Sequence, residues 1–146
     1  MHLKEYPPSI KVNRELIFIS KEFEQQLKEF ADRNQIKCVS REANWNYLTE
    51  PFLDTEFDEK QQEATKKLLN NNGFTDDEIR ATRATISKQM YKYNFDTMLW
   101  EWGFLGFQDV LSAMRPKFSK EEFRAFYWSA MEMEQRSLLP LNRPQV

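Results

Sequence analysis

The stretch DTMLWEWGFLGFQDVLSAMR, residues 96–115, decides the fold, because apolar side chains occupy almost every face that it would present as a helix. Glu101, Gln108 and Asp109 interrupt it, whereas a membrane span needs about 20 predominantly apolar residues. A helix that is apolar on all sides is buried inside a globular protein. We therefore predict a central apolar helix over about residues 96–115, with the rest of the chain packed around it.

The composition predicts one mainly helical domain. The chain has 146 residues, of which 40% are hydrophobic, with 12 Phe but only 3 Gly. This length is close to the commonest domain size, and scarce glycine argues against turn-rich barrels and sandwiches. We expect a single-domain bundle of four to five helices over residues 1–146, with loose termini at about 1–9 and 140–146.

The N-terminal part of the chain allows a small β element. Residues 16–19 are enriched in aromatic and β-branched side chains, which favours a strand. A helix that begins at Asn13 is the alternative for residues 10–19. We include a two-stranded element near the N-terminus in the predicted fold.

Helix starts give the strongest local signals. Thr75 and Glu78, and again Ser119 and Glu122, have the spacing of a capping box. Apolar residues recur every seven positions from Ile79 into the central stretch. This pattern predicts either one long helix over residues 76–114 or two helices that meet near residues 94–96.

A third helix is indicated between these signals and the irregular middle of the chain. Asp58 is a suitable N-cap for the segment EKQQEATKKLL. The following NNNG places Gly73 where a left-handed residue often ends a helix. We expect a helix between these two residues.

Charge and targeting signals favour a cytoplasmic protein that does not bind a membrane. The formal net charge is −2, and Cys38 is the one cysteine, so no internal disulfide can form. The first residues lack the basic and apolar pattern of a secretory signal. Lys88 and Lys92 belong to a locally basic segment, but nearby acidic residues dilute it, so we do not expect nucleic-acid binding.

The only histidine, His2, argues against several kinds of catalytic site. Nucleophile–histidine systems and histidine-ligated zinc need a histidine in the body of the fold. No glycine-rich phosphate loop of a standard form is present either. We therefore expect a protein without enzymatic activity and without a cofactor.

Two features of the central stretch have functional interpretations. Glu101 lies between Trp100 and Trp102, and a carboxyl buried among indoles would have a raised pKa and act as a possible buried acid. A surface ion pair is the alternative. Gly103 and Gly106 predict close approach of a neighbouring helix, or a helix break beside a ligand.

Carboxylates supply one enzymatic alternative. Glu56, Glu59 and Glu63 share a helical face, and Glu29 with Asp32 forms a second acidic pair. Facing carboxylates can hold Mg²⁺ or Mn²⁺ and support hydrolysis of nucleotides. A solvated acidic helix face is the simpler interpretation.

Our leading hypothesis is a protein-binding module, such as an inhibitor, an immunity-type protein or an adaptor. The irregular aromatic segment before residue 54 adjoins an acidic one, which suits a basic protein partner. The predicted partner-binding residues are Trp45, Tyr47, Glu50, Phe52, Asp54 and Glu56. Core packing is the alternative for the first two. A metal-dependent hydrolase and a structural subunit of a larger assembly are the other functions considered, and a homo-oligomer is compatible with all three.

Overall fold

The computed structural model describes residue 1 and residues 7–53, 58–97 and 105–136. It is mainly helical, with a two-stranded antiparallel sheet near the N-terminus, which confirms the predicted fold class. The described residues form six α-helices, compared with the four to five expected. The chain divides into two compact units, Met1–Glu42 and Ala43–Val146, so its organisation as one domain stays a prediction.

The first unit contains a β-hairpin and one α-helix. Strands β1 (Ser9–Val12) and β2 (Glu15–Phe18) pair in antiparallel register, with Ile10 opposite Ile17. Asn13 in the turn has a φ of 55°, a conformation that asparagine tolerates better than most residues. A 3₁₀ turn then leads into helix α1 (Glu24–Arg33).

The predicted loose start of the chain is hydrogen-bonded at its first residue. The Met1 ammonium donates to the Lys37 carbonyl at 2.9 Å, and the Val39 N–H donates to the Met1 carbonyl at 2.8 Å. Ser9 already belongs to β1. The other predicted loose end, residues 140–146, lies outside the described residues.

The regular elements described in the second unit are all helical. The helices are α2 (Asn44–Leu48), α3 (Glu59–Asn71), α4 (Asp76–Thr97), α5 (Phe107–Met114) and α6 (Lys120–Glu134). Short 3₁₀ turns follow α2, at Glu50–Phe52, and α5, at Arg115–Lys117.

The predicted capping boxes are confirmed. The Glu78 N–H donates to Thr75 Oγ1 at 3.2 Å, and the Thr75 N–H donates to the Glu78 carboxylate at 2.9 Å. Ser119 and Glu122 exchange the same two bonds at 3.3 and 2.8 Å. Because each pair satisfies helix N–H groups that lack an intrahelical acceptor, α4 and α6 begin where the sequence predicts.

The predicted end of α3 is also confirmed. Gly73 has a φ of 92°. Its N–H donates to the Asn70 carbonyl at 3.0 Å, and the Phe74 N–H donates to the Leu69 carbonyl at 3.1 Å. These two bonds define a Schellman motif, which reverses the chain into α4.

The single helix predicted over about 96–115 is wrong in its bounds. Helix α4 continues through the predicted junction at residues 94–96 and extends to Thr97, and α5 begins only at Phe107. Gly106 has extended backbone angles, and its N–H donates to Asp109 Oδ2 at 2.8 Å. A cap at this position starts a new helix, so residues 105–106 cannot continue an earlier one. Residues 98–104, which include Glu101 and Gly103, lie outside the described residues.

The apolar residues described in that stretch nevertheless lie in the core, as predicted, whereas its polar residues Gln108 and Ser112 are exposed. The buried residues from it are Leu105, Phe107, Val110, Leu111, Ala113 and Met114. Gly106 satisfies the expected close approach, because a Cβ there would lie 3.0 Å from Asn46 Oδ1.

Helix α2 lies against these residues and is bonded to two other helices. The indole N–H of Trp45 donates to the Ala130 carbonyl of α6 at 2.9 Å, and the Trp45 backbone N–H donates to Glu134 Oε2 at 3.0 Å. At the other end of α2, Arg83 of α4 donates to the Tyr47 and Leu48 carbonyls, each at 3.1 Å. Side chains from distant helices therefore cap α2 at both ends.

We predict that Gly73→Ala lowers the free energy of unfolding by about 1–2 kcal/mol, because an L side chain is strained at positive φ. A Cβ at Gly73 would have no atom within 4 Å, so the backbone alone causes the loss. Gly73→Asn is the matched control and should lose less, since asparagine tolerates this region. Urea unfolding measures both variants, and equal losses would contradict the explanation.

We predict that Trp45→Phe is strongly destabilising. The core loses the hydrogen bond from the indole N–H to the Ala130 carbonyl, and a buried hydrogen bond of this kind contributes about 0.5–1.5 kcal/mol. The smaller ring leaves a cavity that adds to this loss. Trp128→Phe, at a half-buried position of α6, is the comparison. An equal or smaller effect of Trp45→Phe on the urea midpoint would contradict the assignment.

Candidate functional site

The predicted aromatic surface is not available to a partner. The exposed fraction is 1% for Trp45 and 5% for Phe52. Trp45 packs and bonds inside the helical unit, and Phe52 contacts Tyr91 edge-on with ring centroids 5.2 Å apart. The prediction that these two residues bind a partner is therefore corrected, because burying large aromatic side chains stabilises the core.

The remaining members of that surface are partly buried or lie outside the described residues. Tyr47 and Glu50 are half-buried. Burial lowers the pKa of Arg83, and the negative charge of Glu50 acts in the opposite direction. Asp54 and Glu56 lie outside the described residues, so their proposed role stays a prediction.

The carboxylates of the metal alternative do not converge where they are described. Glu59 and Glu63 are exposed on α3, and Glu29 and Asp32 are exposed on α1. Across residues 1, 7–53, 58–97 and 105–136, no group of three or more acidic, histidine or cysteine side chains is placed to hold a metal ion. Glu56, the third member of the predicted set, lies outside those ranges.

A groove lies between α4, α5 and the 3₁₀ turn that follows α5. It has a volume of about 330 Å³, which is within the range of small binding sites. Residues 88–96 of α4 form one wall, and residues 112–117 form the other. The lining residues are Lys88, Gln89, Lys92, Tyr93, Asp96, Ser112, Ala113, Pro116 and Lys117.

Three lysines make this groove basic. Lys88 and Lys92 are one helical turn apart on α4, and Lys117 lies on the opposite wall. Lys117 donates to the Thr85 carbonyl at 3.2 Å, so its position is fixed by the backbone of α4. Among the described residues, no carboxylate lies within 4 Å of any of these three ammonium groups. Asp96 is the one acid among the described residues that line the groove.

A hydrogen bond joins the two helices that border the groove. The Tyr93 hydroxyl of α4 donates to Asp109 Oδ1 of α5 at 3.2 Å, while Asp109 Oδ2 accepts the Gly106 N–H at 2.8 Å. Burial raises the pKa of Tyr93, and the charge and hydrogen bond of Asp109 raise it further. The hydroxyl therefore keeps its proton and remains the donor at neutral pH.

Two exposed aromatic residues adjoin the lysines. Tyr91 is 57% exposed and Phe95 is 81% exposed. Phe95 follows Lys92 by three residues and Tyr91 by four, which places these side chains side by side on α4. Where this unit is described, its exposed aromatic residues therefore adjoin basic residues, whereas the sequence predicts an aromatic surface beside acidic ones.

The sequence contained part of this signal. Lys88 and Lys92 form a locally basic segment in the sequence. Among the described residues, no acidic side chain forms an ion pair with either of them. The position of Lys117 across the groove depends on the packing of α5 and the following turn against α4, which brings together residues distant in sequence.

Comparisons with protein-family models, with curated proteins and with solved structures give no match to this chain. The site must therefore be interpreted from its own geometry.

Within the described residues, no helix combines the length and the apolar character that crossing a membrane requires.

We predict that the free energy of unfolding falls at alkaline pH because Tyr93 loses its proton. Its pKa is raised above the ordinary value of 10.0. The stability that this proton contributes is therefore full below pH 10 and is lost as the pH rises through the folded-state pKa. Urea unfolding at several pH values should show the wild-type advantage over Tyr93→Phe shrinking above about pH 10. A difference that stays constant would contradict the Tyr93–Asp109 bond.

Proposed function

We propose that this chain is a non-enzymatic protein-binding module that holds an acidic segment of a partner protein in the groove between α4 and α5. The observation that carries this proposal is the set of Lys88, Lys92 and Lys117, which face one groove without a carboxylate partner among the described residues. Like charges held on two walls repel each other, and an acidic ligand relieves that repulsion.

The energetics favour a ligand with several acidic groups. A single exposed ion pair contributes only about 0–1 kcal/mol, so one carboxylate would not be retained. Several pairs formed at once, in a groove that partly excludes water, add to a measurable affinity. Complementary charge also raises the association rate and selects against basic partners.

The charge of the proposed partner is opposite to that in our first hypothesis, and the reason is structural. The aromatic residues that we expected beside acidic groups, Trp45 and Phe52, are buried. Among the described residues of the helical unit, the exposed aromatic residues Tyr91 and Phe95 adjoin lysines. We therefore replace a basic partner with an acidic one and keep the class of function.

A nucleic acid is less favoured than an acidic protein. The chain has a net charge of −2 and a pI near 5.6, whereas nucleic-acid-binding domains are usually basic overall. The metal-dependent hydrolase and the structural subunit stay predictions, because no arrangement of the described residues favours either.

We predict that a triple variant, Lys88→Gln with Lys92→Gln and Lys117→Gln, binds a fluorescein-labelled oligoglutamate peptide at least about tenfold more weakly than wild type at low salt. The combined binding free energy of three lost ion pairs, each of modest strength, accounts for this tenfold loss of affinity. Fluorescence anisotropy measures the affinity, and circular dichroism checks the fold.

The matched control removes three exposed lysines outside the groove: Lys11, Lys60 and Lys67. Its total charge equals that of the groove variant, so its affinity should stay close to wild type. An equal loss in both variants would show that total charge alone attracts the peptide, and this result would overturn the proposal.

A further inference from the structure

We infer that the acidic segment carries an apolar side chain beside its acidic residues, and that this side chain packs on Tyr91 and Phe95. This inference rests on the proposed function and specifies its ligand further. The ligand would be a short peptide segment of a protein with both acidic and apolar side chains. The groove lysines would bind its acidic groups, and the exposed rings at the edge of the groove would contact its apolar side chain.

The first step is the geometry of α4. Lys88, Tyr91, Lys92 and Phe95 are spaced by three and four residues within one unbroken helix. Such residues are neighbours on a helix surface. The two lysines reach the groove, and the two aromatic rings continue the same surface at its edge. A ligand that crosses this surface meets cations and apolar rings in adjacent positions.

The second step is the exposure of these rings. Phe95 is 81% exposed, although other Phe residues of this helical unit, such as Phe74 and Phe107, are buried. Exposed aromatic residues are frequent in the small sets of residues that dominate binding affinity. Tyr91 is held by its edge-on contact with Phe52, so little conformational entropy is lost when a ligand covers it.

The experiment compares two peptides of equal negative charge. In one peptide, glutamate residues flank a leucine–phenylalanine pair, and in the other they flank a serine pair. We expect wild type to bind the apolar peptide about tenfold more tightly, the order expected for burying part of one large side chain. In Phe95→Ser, that advantage should disappear, while affinity for the serine peptide stays unchanged.

Phe30→Ser is the matched control, because Phe30 is also exposed, at 44%, but belongs to α1. It should keep the full preference for the apolar peptide. The exposure of Phe95 makes loss of folding an unlikely source of the effect, and the unchanged affinity for the serine peptide checks this directly.

The outcomes separate the two proposals. If both peptides bind equally and Phe95→Ser changes nothing, while the groove lysines still matter, the inference fails and the proposed function stands. If neither peptide binds wild type, the proposed function fails. An oligothymidylate that binds more tightly than either peptide would overturn the inference in favour of a nucleic acid that stacks its bases on the rings.

Discussion

The structure of the helical unit depends on hydrogen bonds to the backbone N–H and C=O groups of one short buried helix. Helix α2 has five residues, so most of its N–H and C=O groups lack partners within the helix. Leaving such groups unsatisfied in a core would be costly. The Glu134 carboxylate accepts the N–H of Trp45, and Arg83 donates to the carbonyls of Tyr47 and Leu48. These contacts bring α4 and α6 to the same short segment, and the core forms around it.

The groove follows from that arrangement. Asn94 of α4 donates to the Phe52 carbonyl at 2.9 Å, which adds a second link between α4 and the turn after α2. Helix α5 is joined to α4 by the bond from Tyr93 to Asp109. With its inner side committed to these contacts, α4 presents its lysines and exposed rings outward. The surface available for binding is therefore formed by the side chains of α4 that do not contact the other helices.

Much of the fold could be predicted because its signals are local. Asp58, Thr75 and Ser119 start helices through bonds to residues three positions further along the chain. Gly73 ends a helix because its backbone adopts a positive φ. The candidate site could not be predicted in this way. Trp45 and Phe52 look like surface aromatics in a polar, irregular segment, and only their contacts with Ala130 and Tyr91 reveal their packing role.

The sequence by itself therefore determined the helical class and the starts of α3, α4 and α6, because capping acts over three or four residues, whereas it left residues 10–19 open between a strand and a helix. Tertiary structure alone decided which aromatics are buried and that Lys117 faces Lys88 and Lys92 across a groove. The physical reason is that burial and charge proximity depend on contacts between residues distant in sequence, such as Trp45 with Ala130, which no local pattern encodes.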